Sequence, residues 1–214
     1  MSEADDDVFA GAGGVGPGGG GGTSGGVRSF VAVPLPSHLQ TDLLTAARGL
    51  APELPEVKWT RKVENLHITV QFLGPVPEPR LQTLAGALAE DLAPRSPFSV
   101  KLRGLGAFPD GRHATAIWVG VVDEDGRLDA VAASVRRLTA RMGLVSERRP
   151  FRPHVTVGRC KRGVDARAAL EPWRTRSLGT ASVTEIRLYE SQLGQEGSTY
   201  LPRGQAPLLG ARPA

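Results

Sequence analysis

Two stretches, NLHITVQFLG (65–74) and FRPHVTVGRC (151–160), each place a histidine and a threonine two positions apart inside an apolar, β-branched run. Runs of this kind form strands, whose side chains alternate between faces. Strict alternation therefore predicts His67, Thr69 and Gln71 on one face, with Ile68, Val70 and Phe72 on the other. In the second run it puts His154 and Thr156 together, with Val155 and Val157 opposite. One such motif is a weak signal and reads most simply as a structural histidine. Two copies, with histidines 87 residues apart, use half of the four histidines in the chain. His38, in a first helical turn, and His113, beside a turn, read as surface residues.

The pattern around these runs alternates strands and helices. RSFVAVPL (28–35) reads as a strand. A helix follows from Pro36-Ser37 to about Leu50, with Ser37 as its expected N-cap and Leu39, Leu43, Leu44, Ala47 and Leu50 on one face. EVKWT (56–60) is a short strand, and 66–73 a longer one ended by Gly74-Pro75. Leucines at 81, 84, 88 and 92 mark an amphipathic helix over 77–93. Segments 97–108 and 114–122 are strand-like around a Pro-Asp-Gly turn signal at 109–111. A helix over 126–142, the second motif strand over 154–159, a short helix near 165–171 and strands at 183–191 and 199–208 repeat the plan. The expected fold is α/β (α+β): two similar lobes with antiparallel-rich sheets facing a central cleft, helices outside, from an internal duplication.

Residues 1–26 are acidic and then glycine-rich, with little to bury, so they are expected to be disordered, with a folded region over 27–208 and a tail at 209–214. GAGGVG (11–16) fits a dinucleotide-binding fingerprint literally, but it lacks the strand before and helix after that the motif needs. No secretory signal or membrane span is legible, so a soluble, cytoplasmic protein is expected. Cys160 is the only cysteine, which excludes an intrachain disulfide. Net charge is +4, unevenly spread: residues 136–162 hold nine Lys or Arg against one acid, Glu147. That window carries +8 and the remainder −4, so a local field favours anionic ligands. Arg136, Arg137 and Arg141 read as a solvated helix face, whereas Arg148, Arg149, Arg152, Arg159, Lys161 and Arg162 flank the second motif.

Two imidazoles and two hydroxyls in one cleft suit chemistry at phosphorus. Near neutral pH one imidazole accepts a proton while the other donates one. Threonine hydroxyls donate to phosphoryl oxygens, and an arginine stabilises their charge. In-line displacement needs its acid and base on opposite sides of phosphorus. This scheme uses no metal and no cofactor. A metal site would want a third ligand near the motifs, and none is present.

The chain resembles the two-histidine phosphoesterases, and within them the RNA 2′,3′-cyclic phosphodiesterases, also called 2′-5′ RNA ligases. The resemblance rests on RSFVAVPLP (28–36), ENLHITVQFLG (64–74), GLGAFPD (104–110), IWVGV (117–121), ERRPFRPHVTVGR (147–159) and LYESQLG (188–194), in family order. It implies hydrolysis of a terminal 2′,3′-cyclic phosphate to a 2′-phosphate, with 2′-5′ ligation as the reverse reaction. By resemblance, His154 is the general base, His67 the general acid, and Thr69 and Thr156 hold the phosphate. Phe72 and Arg159 correspond to substrate contacts, and Arg152 is a weaker candidate. Alternation turns Phe72 and Arg159 away from the histidine face, so each strand must end or bulge before them. The implied partner is RNA with a cyclic phosphate end; the protein is expected to act as a monomer, with no protein partner and no membrane. The alternatives are an enzyme of the same superfamily acting on 2′-5′ oligoadenylates or ADP-ribose 1″,2″-cyclic phosphate, and a non-catalytic RNA-end binder.

Overall fold

The computed structural model describes residues 26–144, 150–194 and 197–210. The tail expected over 1–26 therefore lies almost wholly outside the described residues, as do Glu147, Arg148, Arg149 and residues 211–214. The elements in chain order are β1 (Val27–Pro34), α1 (Ser37–Leu50), β2 (Lys58–Trp59), β3 (His67–Val76), α2 (Glu78–Leu92), β4 (Phe98–Phe108) and β5 (Ala114–Val122). They continue with α3 (Arg127–Arg141), β6 (His154–Val164), α4 (Arg167–Leu170), β7 (Ser177–Val183), β8 (Glu185–Gly194) and β9 (Gly197–Pro207).

The strands order as β7-β4-β5-β6-β3-β1-β8-β9, every neighbouring pair antiparallel, with β2 adding to β6. The fold is α+β, and the two motif strands lie side by side at the middle of the sheet. On either side stands a four-stranded lobe, β3-β1-β8-β9 and β6-β5-β4-β7. The lobes are not the two halves of the chain, as a simple duplication suggests. β4 crosses into the lobe of β5, β6 and β7, while β8 and β9 return to complete the lobe of β1 and β3. Each lobe therefore needs both halves of the sequence before its sheet is complete.

The helices cover one face of the sheet. Leu39, Leu43, Leu44, Ala47 and Leu50 of α1, the four leucines of α2, and Leu128, Val131, Ala132, Val135 and Leu138 of α3 are buried in one core with alternate strand residues. A row of apolar residues crosses the seam between the lobes: Val33, Ile68, Val155 and Val119 are successive Cα partners, all buried. The other face carries a separate small cluster of Phe30, Ala32 and Tyr189, against which Tyr200 packs.

Several local expectations change. Pro36, not Ser37, is the N-cap of α1, and no side chain caps that end; proline's fixed φ suits the helix entry. β3 continues through Gly74 and Pro75 to Val76, because Ser29 and Arg28 of β1 still pair with them. β7 was not legible in SLGTASV, whose small and polar residues carry a weak alternation, and its partner β4 supplies the ladder that fixes it. His38 and His113 are exposed, as expected. Arg137 and Arg141 are exposed on α3 while Arg136 is half-buried. No helix among the described residues is long and apolar enough to cross a membrane.

Candidate active site

The same irregularity occurs in both motif strands. In β3 the register against β1 runs Ala32↔Thr69, then Val31↔Gln71, so Val70 is an extra residue. In β6 the register against β5 runs Trp118↔Thr156, then Ile117↔Gly158, so Val157 is extra. Each is a β-bulge, and a bulge reverses the face of every residue beyond it. Val70 and Gln71 are consecutively buried, as are Val157 and Gly158, and the next residues, Phe72 and Arg159, are exposed. Phe72 and Arg159 thus return to the face of His67, Thr69, His154 and Thr156. Gln71 does not join them, contrary to strict alternation. It turns into the core, where its amide donates to Thr139 Oγ1 of α3 at 3.0 Å.

Pairing through Ile68 and Val155 sets how the motifs meet. In an antiparallel register about that pair, His67 lies beside Thr156 and Thr69 beside His154. The two histidines are then diagonal neighbours, whose Cα atoms in a regular ladder are ~7–8 Å apart. Each imidazole is oriented from behind by the carbonyl two residues earlier. His154 Nδ1 lies 2.6 Å from the Arg152 carbonyl oxygen, and a His67 ring nitrogen donates to the Asn65 carbonyl. A carbonyl only accepts, so Nδ1 of His154 carries the proton and Nε2 is left for other chemistry. Arg152 therefore contributes through its backbone. The Asn65 side chain donates to the Ser198 carbonyl at 2.9 Å, and Lys62 donates to Thr199 Oγ1 at 3.1 Å, tying the turn before His67 to β9.

Aromatic rings hold both imidazoles. Phe30 stacks on His67 with centroids 4.9 Å apart, and Tyr200 meets it edge-on at 5.2 Å. Phe72, Phe30 and Tyr189 are successive Cα partners across β3, β1 and β8, forming one aromatic row beside His67. In the other lobe Phe108 meets His154 edge-on at 5.0 Å, and Trp118 lies 6.4 Å from it. Trp118 lies flat across its partner Gly106, where an added Cβ would stand 2.3 Å from the indole ring. These aromatics were not singled out from the sequence as site residues. The signal was available: the family segments RSFVAVPLP, GLGAFPD, IWVGV and LYESQLG supply Phe30, Phe108, Trp118 and Tyr189.

Electrostatics separates the site from its surroundings. Burial among the aromatics holds the His67 pKa down to about 4. The hydrogen bond to Asn65 opposes that shift, while the Arg159 guanidinium and His154 add to it. Arg159 therefore acts on His67 across the seam. Among the described residues no group of three or more His, Cys, Asp or Glu side chains is placed to hold a metal ion.

Comparisons with known proteins give the chain a family. The chain is 34% identical over 186 residues to an RNA 2′,3′-cyclic phosphodiesterase of Geobacillus stearothermophilus, covering 85% of this chain and 57% of that protein. It thus spans just over half the length of that relative. It is 32% identical over 177 residues to an RNA 2′,3′-cyclic phosphodiesterase of Archaeoglobus fulgidus, covering 81% of this chain and 96% of that one. A crystal structure of E. coli LigT complexed with 3′-AMP superposes with a TM-score of 0.67 at 26% identity, covering 85% of this chain and 98% of LigT. A Thermus thermophilus structure superposes with a TM-score of 0.72 at 26% identity, covering 86% and all of its chain. Residues 35–195, which include both motif strands, match the 2′-5′ RNA ligase superfamily, and this chain belongs to it.

Proposed function

We propose that this protein hydrolyses RNA 2′,3′-cyclic phosphate ends to 2′-phosphomonoesters by acid–base catalysis from its two histidines. The observation that carries the reading is the diagonal placement of His67 and His154 about Ile68 and Val155, with a threonine beside each. A phosphate seated between diagonal imidazoles has one on the side of the attacking water and one on the side of the departing 3′-oxygen. His154 Nε2 takes a proton from water, and His67 delivers one to the 3′-oxygen. Each role contributes about 10²–10⁴-fold in rate. Thr69 and Thr156 donate to the non-bridging oxygens, and Phe72 and Arg159 hold the terminal nucleotide by stacking and charge.

His67 is neutral in the free protein at pH 7, since its pKa lies near 4. An anionic phosphodiester beside it favours the protonated form. The acid is thereby charged by the arrival of its substrate, against the opposing field of Arg159. The names of the relatives support RNA as the substrate class. The 2′-5′ ligation implied by the resemblance is a parallel reaction of the same site and not the reverse of hydrolysis: a 5′-hydroxyl replaces water as the nucleophile, His154 takes its proton, and His67 again protonates the departing 3′-oxygen.

A substrate panel tests this reading: an RNA ending in 2′,3′-cyclic phosphate, 2′-5′ oligoadenylate and ADP-ribose 1″,2″-cyclic phosphate, each with excess EDTA. Rapid turnover of the RNA, unchanged by EDTA, is expected. Preference for either other substrate overturns the assignment of the substrate, and loss of turnover in EDTA overturns the metal-independent chemistry.

A further inference from the structure

β2 is only two residues long, yet it places Lys58 directly opposite Arg159 and Trp59 opposite Gly158. The pairing continues as the Thr60 N–H donates to the Val157 carbonyl at 2.8 Å. Val57 is buried and Trp59 packs on the core, so the alternate residue Lys58 projects from the other face and is exposed. That is the face of Arg159 and, through the bulge, of His154 and Thr156.

Like charges directly opposite each other destabilise an antiparallel pair. Five other exposed or half-exposed cations are neutralised: Lys101 by Glu124, Arg167 by Asp165, Arg174 by Glu171, Arg187 by Glu185 and Arg203 by Glu78 and Glu190. Lys58 and Arg159 form no ion pair among the described residues. Glu56, an acid close by in sequence, forms no ion pair with either of them. Lys161 extends the exposed positive edge beyond Arg159. A cation pair left uncompensated beside a phosphate-handling site is a place for a second anion.

We propose that Lys58, together with Arg159, binds the phosphodiester on the 5′ side of the terminal nucleotide, which makes oligonucleotides better substrates than mononucleotides. The proposal rests on the phosphodiesterase reading above and adds a second phosphate position to it. Thr156 and Arg159 are three residues apart with one residue taken up by the bulge, so the pair stands roughly 7 Å along β6 from the threonine. An extended strand leaving the terminal nucleotide toward β2 passes its next phosphate over Lys58. Since Lys58 carries charge and no base-reading geometry, the added affinity is independent of sequence.

The test compares a nucleoside 2′,3′-cyclic monophosphate with a hexanucleotide ending in the same cyclic nucleotide. Wild type, Lys58→Ala, Lys58→Glu and the charge-retaining Lys58→Arg are assayed across a salt series. For the wild type, KM for the hexanucleotide is expected about tenfold below that for the monomer, with a steeper salt dependence. Lys58→Ala removes most of that difference and lowers the salt slope by about one, Lys58→Glu goes further, and Lys58→Arg restores it. The monomer kcat/KM stays within about twofold in Lys58→Ala, because a single phosphate does not reach the second position. Equal wild-type KM for the two substrates, or equal losses on both in Lys58→Ala, overturns the subsite alone. A wild type that turns over neither substrate overturns the phosphodiesterase reading and the subsite together.

Discussion

Ile68 and Val155, the residues that follow the two histidines, are Cα partners across the seam between the lobes, and both are fully buried. The contact that joins the lobes also sets the spacing of the imidazoles. Ile68→Val removes one methylene and is expected to cost about 0.5–1.5 kcal/mol with activity retained. Ile68→Ala is expected to cost about 2–5 kcal/mol and to lower kcat in the protein that remains folded. Urea unfolding together with kcat measured well below the midpoint separates the two effects. An Ile68→Ala enzyme with wild-type kcat would show that the seam does not position the histidines.

His67 makes stability depend on pH in a defined direction. Its folded pKa is about 4 against 6.5 for an unperturbed histidine, so between these values the unfolded chain binds a proton that the folded chain does not. Stability contributed by this group therefore rises with pH from about 4 to 6.5 and is level above. The difference in Tm between wild type and His67→Gln, measured across pH 4–8, isolates it. The wild type is expected to lose more stability than the variant on acidification; parallel curves would contradict the depressed pKa.

Gln71 anchors the bulge that brings Phe72 to the site. It is buried with Thr139, whose hydroxyl also donates to the Val135 carbonyl at 3.0 Å. Gln71→Ala is expected to cost about 1–3 kcal/mol and, on the proposed reading in which Phe72 stacks on the terminal nucleotide away from the reacting bonds, to raise KM more than it lowers kcat. Phe72 is 52% exposed, so Phe72→Ala should raise KM with little loss of stability. A Gln71→Ala variant with unaltered KM would show that the bulge holds without its anchor.

The seam shows why part of this protein was legible in its sequence and part was not. His-x-Thr within a β-branched run signals both the strand and its polar face, and the alternation holds through Thr69 and Thr156. It fails two residues later, at Gln71 and Gly158, because a bulge inserts a residue without altering composition. Only a conflict between alternation and family resemblance at Phe72 and Arg159 hinted at it. Lobe membership was illegible for a related reason. β4 and β8 look like any alternating strands, and their exchange between lobes is fixed by long-range ladders, Phe98↔Val183 and Phe30↔Tyr189 among them. The carbonyls of Asn65 and Arg152 that orient the imidazoles belong to the backbone, on which side-chain patterns are silent.

The central claim is that His67 and His154 act as acid and base on a cyclic phosphate end. It is tested most directly by incubating a short RNA bearing a 2′,3′-cyclic phosphate with wild type, His67→Ala and His154→Ala, and identifying the product end. The account predicts a 2′-phosphate from the wild type, with each variant slower by about 10²–10⁴-fold and folded by circular dichroism. A 3′-phosphate product, or a folded variant that keeps wild-type turnover, would contradict it.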